Sequence, residues 1–321
     1  MFAWLNLYEA LNNQMPIGVV SGYGQLFTQN ILEEVVMKQY TRKEVIKRLK
    51  SKVAKGSAIV AAGAGTGISA RFEEEGGADL ILVFNSGLYR MHGLGSLSGW
   101  MAYGNANDVS LELGEKHILP IVKEAPVICS INGTDPTKVM EVFLWKVGEA
   151  GFSGINNFPT IGMIDGTFRA ALEETGMSYD KEVEMIALAH AMDFFTTAYV
   201  FNPEEARKMA RAGCDCILAH MGLTIGGAIG AKETMSLKEA AEQTEKIAKA
   251  ARSVNPDVFV LCHGGPISSP SDVDAILKRA PIHGFVGASS MERIPVEKGI
   301  RETTAKFASL KIQKSVTNRK K

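Results

Sequence analysis

The chain has 321 residues, of which 46% are hydrophobic and 22% are charged, and this composition excludes wholesale disorder. Lysine plus arginine and aspartate plus glutamate number 35 each, so the zero net charge gives no electrostatic reason for nucleic acid or an anionic membrane as a partner. Four cysteines make no disulfide scaffold, and we find neither a membrane-spanning apolar run nor a signal pattern, so we expect a cytoplasmic protein. The 32 glycines and 7% aromatic residues predict tight turns rather than an aromatic-lined platform.

From Ser57 onward, a short apolar run, a turn and an amphipathic helix alternate eight times. The predicted strands are Ser57–Gly65, Asp79–Phe84, Pro126–Asn132, Gly154–Phe158, Phe195–Phe201, Cys214–His220, Val258–His263 and Gly284–Gly287. They are apolar throughout, as is typical of parallel strands that are covered on both faces. Eight units over roughly 250 residues predict a (β/α)₈ TIM barrel. An open doubly wound sheet is the alternative, because a strand count does not show closure.

The helices between these strands have matching lengths and cap signals. We predict them at Ile68–Glu75, Ala106–Lys116, Thr137–Ala150, Thr167–Glu174, Lys181–Met192, Pro203–Ala212, Leu237–Ser253, Ser271–Arg279 and Pro295–Ser309. A basic amphipathic helix at Thr41–Lys55 is predicted to close the bottom of the barrel. Residues 1–40 predict an N-terminal helical extension, either an oligomerisation arm or the remnant of an upstream domain. Residues 41–310 then form the barrel, and residues 311–321 form a frayed basic tail.

Polar residues at the carboxyl ends of barrel strands are the candidates for ligand binding. The second to fifth strands end near Asn85, Ser86, Arg90, Asn132, Asn156 and Tyr199. The seventh and eighth loops contain Gly264 and Gly265, and Gly287, Ala288, Ser289 and Ser290. Glycines there let backbone N–H groups approach an anion, and a short helix from Ser290 would add its positive end, so we predict a phosphate or other anion site. The alternative is that these glycines only form tight turns.

His220 and His263 end neighbouring predicted strands, where an imidazole can act as general acid or base. Asp135 is the third catalytic candidate, although it follows a strand and precedes Pro136 and therefore also fits an N-cap. Glu292 and Arg293 are expected to pair with each other or with loop residues. A glycine-rich segment at Met91–Ser98 is long enough for a lid. Cys214 and Cys216 lack a second cluster and are predicted as buried small residues, not zinc ligands.

Long motifs in the chain resemble the phosphoenolpyruvate hydrolase-like TIM-barrel family, which also forms the C-terminal barrel of a plant antiviral resistance protein. The motifs include GAGTGISARFEEEGGADLILVFNSGLYRMHGLGSLSG, INGTDP, GFSGINNFPTIG, LAHMGLTIGG, CHGGPIS and FVGASSMERIPVE. The resemblance covers about Arg42 to Ser309. It implies a barrel related to enzymes that cleave or form C–C or P–C bonds beside an α-keto acid.

In that superfamily, strand-end carboxylates typically hold Mg²⁺, so the resemblance implies Mg²⁺ as a candidate cofactor. The matching positions here are Asn85, Asn132 and Asn156, which carry no charge, and we assign no metal ligands. We expect a hydrolase or lyase that acts on a small, phosphorylated or unphosphorylated, α-keto or carbonyl acid through an enolate-like intermediate, and we expect a homo-oligomer. The alternative is a non-catalytic barrel that senses a small anion or binds a partner protein.

Overall fold

A computed structural model describes residues 40–312, in which eight parallel strands form a closed barrel. The strands are β1 (Ile59–Ala64), β2 (Leu80–Val83), β3 (Val127–Ser130), β4 (Gly154–Asn156), β5 (Phe195–Val200), β6 (Cys216–His220), β7 (Phe259–His263) and β8 (Gly284–Gly287). Each strand pairs with its sequence neighbours, and β8 pairs with β1 to close the ring. The predicted (β/α)₈ barrel is confirmed, and the open doubly wound sheet is excluded.

One helix precedes the first strand, and the others follow the strands around the ring. They are α1 (Arg42–Ala54), α2 (Gly67–Glu75), α3 (Asn85–Met91), α4 (Ala106–Leu113), α5 (Met140–Glu149), α6 (Gly166–Glu174), α7 (Tyr179–Ala191), α8 (Pro203–Arg211), α9 (Leu237–Arg252), α10 (Pro270–Leu277) and α11 (Arg293–Ala308). Sequence reasoning missed α3, whose N-cap Phe84 makes no side-chain capping bond and gives no start signal. The predicted extension at residues 1–40 lies outside the described residues except for Tyr40, and the predicted tail lies outside them except for residues 311 and 312.

The strands lack a polar face because each one separates two hydrophobic cores. Leu82 and Ile128 are register partners that point into the barrel, whereas Val83 and Cys129 point outward to the helices. Successive side chains on a strand point to opposite faces, so both must be apolar when both are covered. This explains the continuous apolar runs in the sequence. The four cysteines are free and buried, which confirms the prediction for Cys214 and Cys216.

Helix α1 covers the amino-terminal end of the barrel. It buries Leu49 in the core that fills the barrel interior. Its Arg42 binds Asp215, which directly precedes β6, through two nitrogens at 2.8 and 3.0 Å. Its Lys52 binds Asp79, which directly precedes β2, at 2.5 Å. The opposite, carboxyl-terminal end of the strands therefore remains available for a site.

Candidate active site

A cavity of about 190 Å³ lies at the carboxyl ends of the strands, where (β/α)₈ barrels bind their ligands. Strand ends and loops from six of the eight units contribute to its wall. The residues that sequence reasoning predicted and that line the cavity are Ser86, Arg90, Tyr199, His220, His263, Ala288 and Ser289. The structure therefore brings together candidates from the second, fifth, sixth, seventh and eighth units.

His220 and His263 end β6 and β7 and are register partners, with ring centroids 4.7 Å apart. The Nδ1 atom of His220 accepts a hydrogen bond, whereas the Nδ1 atom of His263 donates one. The backbone N–H of Gly222 donates to Nδ1 of His220 at 3.0 Å, whereas Nδ1 of His263 donates to the carbonyl oxygen of Val286 at 2.8 Å. In the neutral state, His220 therefore carries its proton on Nε2, and Nε2 of His263 has a free lone pair.

Burial keeps both imidazoles neutral. His220 is 6% exposed and His263 is 9% exposed. Desolvation, and then the neighbouring His263, hold the pKa of His220 well below its usual value. Desolvation also lowers the pKa of His263 to about 4, while the bond to Val286 opposes this shift and the charge of Arg90 adds to it. At neutral pH the pair thus offers one N–H donor and one proton acceptor in the same cavity.

An aromatic wall of Phe84, Trp100, Phe158 and Tyr199 lines the cavity beside the histidines. Phe158 contacts the rings of Trp100 at 4.5 Å, Phe84 at 5.0 Å and Tyr199 at 5.6 Å. Tyr199 in turn lies 5.3 Å from His220 and 5.2 Å from His263, again between ring centroids. Although only 7% of the residues are aromatic, four rings from separate loops and strands converge on this cavity.

Arg90 lies at the base of the cavity in a buried ion pair. Its Nε and Nη2 donate to one carboxylate oxygen of Glu292 at 3.0 and 2.5 Å, and Nη2 also donates to the carbonyl of Gly63. The other oxygen of Glu292 accepts the N–H of Gly65 at 2.6 Å. Arg293 has a separate partner, Glu297, at 2.5 Å. Glu292 and Arg293 therefore do not pair with each other.

The seventh and eighth loops differ in their relation to the cavity. A Cβ on Gly264 would lie 2.2 Å from the carbonyl oxygen of Gly222, and a Cβ on Gly265 would lie 2.4 Å from that of Met221. Both glycines have positive φ angles, so they are explained by tight packing against the loop after β6. In the eighth loop, Ala288 and Ser289 line the cavity, while Gly287 and Ser290 do not.

The short helix expected from Ser290 is not found. Residues 289–292 form a turn, and the helix that follows is α11, which begins at Arg293. Within residues 40–312, the backbone N–H groups of Ala288 and Ser289 donate to no protein acceptor. The eighth loop therefore presents two backbone N–H donors without a protein acceptor, rather than a helix end.

The three asparagines lie outside the cavity lining. Asn85 is buried under the loop after α3 and donates to the carbonyl of Gly99 at 2.9 Å. Asn132 accepts bonds from the backbone and hydroxyl of Thr134 and so shapes its own turn. Asn156 donates to Thr197 at 2.9 Å within the barrel interior. Strand-end position alone did not distinguish side chains that face the cavity from those that hold loops.

Asp135 does not reach the histidines. One of its carboxylate oxygens accepts bonds from the amides of Asn105 and Asn107, and the other accepts from the backbone and hydroxyl of Thr137. It borders a different surface depression, between the third and fourth units. Helix α5 begins only at Met140, so Asp135 is not a helix N-cap either; it orders the loop after β3.

Two loops cover the cavity, and sequence reasoning had related only part of the first, the segment Met91–Ser98, to it as a lid. The first includes Leu97 and Trp100, and the indole N–H of Trp100 donates to the carbonyl of Thr160 at 2.9 Å. The second follows β6 and contributes Leu223, Thr224 and Ile229. Part of the segment predicted as a lid therefore lies over the cavity, and its movement stays a prediction. The signal available in the sequence was the length of both loops, which exceeds that of a simple turn.

Acidic residues are not part of the cavity lining in the described range. Across residues 40–312, no group of three or more His, Cys, Asp or Glu side chains is arranged to hold a metal ion. The same range contains no helix that is both long and apolar enough to cross a membrane.

Comparison with known proteins places these features in a family. Residues 44–310 match the profile of the phosphoenolpyruvate hydrolase-like family. The ToMV susceptible protein tm-1(GCR26) of Solanum lycopersicum is 52% identical over 270 residues, which are 84% of this chain and 36% of that protein. The chain thus spans about a third of the length of this relative.

Two solved structures share the fold. Phosphonopyruvate hydrolase in complex with oxalate and Mg²⁺ has a TM-score of 0.53 at 18% identity, covering 84% of this chain and 87% of that one. The 2,3-dimethylmalate lyase, a member of the PEP mutase/isocitrate lyase superfamily, has a TM-score of 0.56 at 16% identity, covering 84% and 86%. Identities this low relate the folds of these proteins and not their activities.

Proposed function

The chain belongs to the phosphoenolpyruvate hydrolase-like family, and from this premise we propose that its cavity is the active site of a hydrolase or lyase that acts on a small α-keto or carbonyl acid. The observation that carries the proposal is the pair of neutral histidines with opposite Nε2 states, 4.7 Å apart, at the strand ends. Such a pair can accept a proton and hold a developing oxyanion in the same cavity.

In the proposed reaction, Nε2 of His263 accepts the proton that must leave the substrate or the attacking water. When water attacks, its oxygen bonds to the acyl carbon or phosphorus beyond the scissile bond; when a substrate hydroxyl loses the proton, its oxygen forms the new carbonyl. In both cases the C–C or P–C bond breaks, and its electron pair moves onto the keto-acid fragment as an enolate, whose carbon then takes the proton from His263. The Nε2–H of His220 donates a hydrogen bond to the enolate oxygen. The apolar surroundings strengthen this hydrogen bond because no bulk water competes for it. Tyr199 packs on both rings and positions them.

The residues of the cavity do not fit Mg²⁺, the ion bound by the phosphonopyruvate hydrolase neighbour. Mg²⁺ prefers carboxylate oxygens in an octahedral arrangement. The nearest carboxylate, Glu292, already accepts three hydrogen bonds from Arg90 and Gly65, and Asp135 borders another depression. We therefore derive no step through a metal ion and propose that the histidine pair acts without one.

The eighth loop would hold the carboxylate of the substrate. The N–H groups of Ala288 and Ser289, together with the hydroxyls of Ser86 and Ser289, supply donors without a competing negative charge in the cavity. This proposal keeps the eighth-loop part of the predicted anion site, Ala288 and Ser289, and leaves out the glycines of the seventh loop.

The test is turnover of a panel of keto acids by the purified protein, followed by NMR with and without Mg²⁺ and with and without EDTA. The panel would contain the keto acids oxaloacetate and phosphonopyruvate and the enol phosphate phosphoenolpyruvate, with 4-methyl-2-oxopentanoate as a control that has no acyl or phosphoryl group to lose. Replacement of the base in His263→Gln should lower kcat by about 10²- to 10⁴-fold, with the thermal midpoint checked in parallel. His117→Gln, at an exposed histidine, is the matched control. Full turnover by His263→Gln would contradict the assignment.

The competing function is a barrel that binds a small anion or a partner protein without turnover. The name of the tomato relative favours it, because that name describes a response to a virus and not a reaction. Ligand binding to the cavity with no turnover of any tested acid would support this function over the enzyme.

We also propose that the chain forms a homo-oligomer. Helix α11 exposes Ile300 and Phe307, which are 64% and 71% exposed, and α2 exposes Ile68 and Phe72. Exposed apolar surface of this kind is typical of subunit interfaces. Sedimentation velocity should show a smaller species for the Ile300→Asp variant than for the control Lys298→Asp on the same helix. Equal sedimentation of both variants and the parent would remove α11 from the interface.

A further inference from the structure

The cationic side chains of the cavity are already neutralised by the protein. Arg90 and Arg293 line it, and each binds a glutamate, Glu292 and Glu297 respectively. Both histidines are held neutral by burial. The local formal charge is therefore zero, and a ligand finds hydrogen-bond donors but no unpaired positive charge.

The cavity also has a gradient of polarity along one wall. At one end lie the two imidazoles, and Tyr199 packs against both. Phe158 follows at 5.6 Å from Tyr199, and Trp100 follows at 4.5 Å from Phe158. Leu97 and Met163 extend the same apolar end. A charged group placed there would lose its hydration without gaining a partner.

We infer that the substrate is an α-keto acid with a single carboxylate and an apolar tail, rather than a small dianion. This inference rests on the proposed function, because it assigns the ligand class of the same cavity. The keto acid end lies toward His220 and Ser289, where donors are. The tail packs against Trp100 and Phe158, so the ligand buries its apolar part where the wall is apolar.

Two nearly isosteric ligands separate these classes. 4-Methyl-2-oxopentanoate and oxaloacetate share the α-keto acid end and differ by an isopropyl group in place of the second carboxylate. Isothermal titration calorimetry on the full chain should show about tenfold tighter binding of 4-methyl-2-oxopentanoate, because the isopropyl group gains from burial where a carboxylate is desolvated. Equal or tighter binding of oxaloacetate would overturn the inference, and so would failure of both acids to bind.

Two variants test the physical cause. Phe158→Leu removes part of the apolar wall and should weaken the binding of 4-methyl-2-oxopentanoate more than that of oxaloacetate. Phe143→Leu, in the outer core away from the cavity, should change neither affinity. Glu297→Gln leaves Arg293 without its counter-charge and should shift the preference toward oxaloacetate. An unchanged preference in both Phe158→Leu and Glu297→Gln would contradict the proposed basis of selectivity.

Binding and turnover fail independently in this design. Selective binding of 4-methyl-2-oxopentanoate without turnover of any acid would contradict the proposed enzymatic activity and support the inferred ligand class. 4-Methyl-2-oxopentanoate has no acyl or phosphoryl group on Cβ that this reaction could cleave, so it reports binding only. Turnover of oxaloacetate or phosphonopyruvate together with tighter binding of that acid than of 4-methyl-2-oxopentanoate would contradict the ligand class and leave the enzyme standing.

Discussion

Arg90 and Glu292 form an ion pair between side chains that are 2% and 0% exposed, although 202 residues separate them in the chain. The pair holds the first, second and eighth units together, because Arg90 also binds the carbonyl of Gly63 and Glu292 also binds the N–H of Gly65. It therefore joins the two sides of the seam where β8 meets β1. The same contact supports the cavity, since Arg90 lines it.

Removal of one partner should be costly. In Glu292→Ala, Arg90 stays buried without a counter-charge, and we expect a loss of about 3–5 kcal/mol in the free energy of unfolding. Urea denaturation measures this loss. Asp274→Ala is the matched control, because Asp274 pairs with Lys278 on the surface and its loss should leave the midpoint almost unchanged. Similar midpoints for both variants would show that the buried pair contributes no more than a surface pair.

Acid should destabilise the fold through His263. Its pKa is about 4 in the folded protein, compared with an ordinary value of 6.5, so between these values the unfolded chain binds a proton that the folded protein does not. Stability is therefore complete above about pH 6.5 and falls as the pH drops toward 4, by roughly 3 kcal/mol for this group. His220 titrates in the same direction and adds to the loss.

The measurement is the free energy of unfolding from pH 7.5 to pH 4.5. His263→Gln should lose less stability over this interval than the parent, because its side chain has no proton to exchange. His117→Gln, at an exposed position, should follow the parent curve. Parallel curves for all three proteins would contradict the buried neutral state of His263.

Glu73 should produce the opposite dependence. Both of its carboxyl oxygens are buried without a hydrogen-bond partner within residues 40–312, and burial followed by the charge of Glu292 raises its pKa to about 8, while Arg90 opposes the shift. The folded protein retains this proton while the unfolded chain loses it above about pH 4.5, so the contribution of Glu73 declines as the pH rises toward 8.

Glu73→Gln should remove that decline, because an amide has no proton to lose in this range. The variant should match the parent near pH 5 and exceed it in unfolding free energy near pH 8, as measured by urea denaturation at both values. Glu75→Gln, whose side chain pairs with Arg71 on the surface, is the control. If the parent has a higher unfolding free energy than Glu73→Gln by the same amount at pH 5 and at pH 8, Glu73 is not neutral in the folded protein.

The fold was predictable because its signals are local. Each strand was placed within two residues of its position, since parallel strands buried on both faces are continuously apolar. The helices predicted at Pro203–Ala212 and Ser271–Arg279 are present, and Asn202 and Ser269 cap their first turns. The histidine pair followed from register alone, because neighbouring parallel strands bring their last residues together.

The rest of the site depends on long-range packing that the sequence does not display. Phe158 was predicted only as the end of the fourth strand, and Trp100 ends a short 3-10 helix within a long loop, so nothing in the chain indicated that their rings would meet at 4.5 Å. Asp135 and Asn132 follow strands as ligands would, yet both serve the turn after β3. Pairing of Arg90 with Glu292 required knowledge of how the ring closes.

A single methyl group at Gly65 should test that closure. An ideal Cβ at this position would lie 2.1 Å from the carbonyl oxygen of Gly87, which is backbone and cannot rotate away. The loop after β1 or the start of α3 must therefore move, and the bond from Gly65 to Glu292 moves with it. We expect Gly65→Ala to lose about 1–3 kcal/mol in unfolding free energy.

Gly95→Ala is the matched control, since no atom lies within 4 Å of its Cβ and its φ of −66° suits alanine. It should leave stability unchanged or slightly raised, because alanine restricts the unfolded chain. If Gly65→Ala is as stable as Gly95→Ala, the close approach of these two loops does not exist in solution.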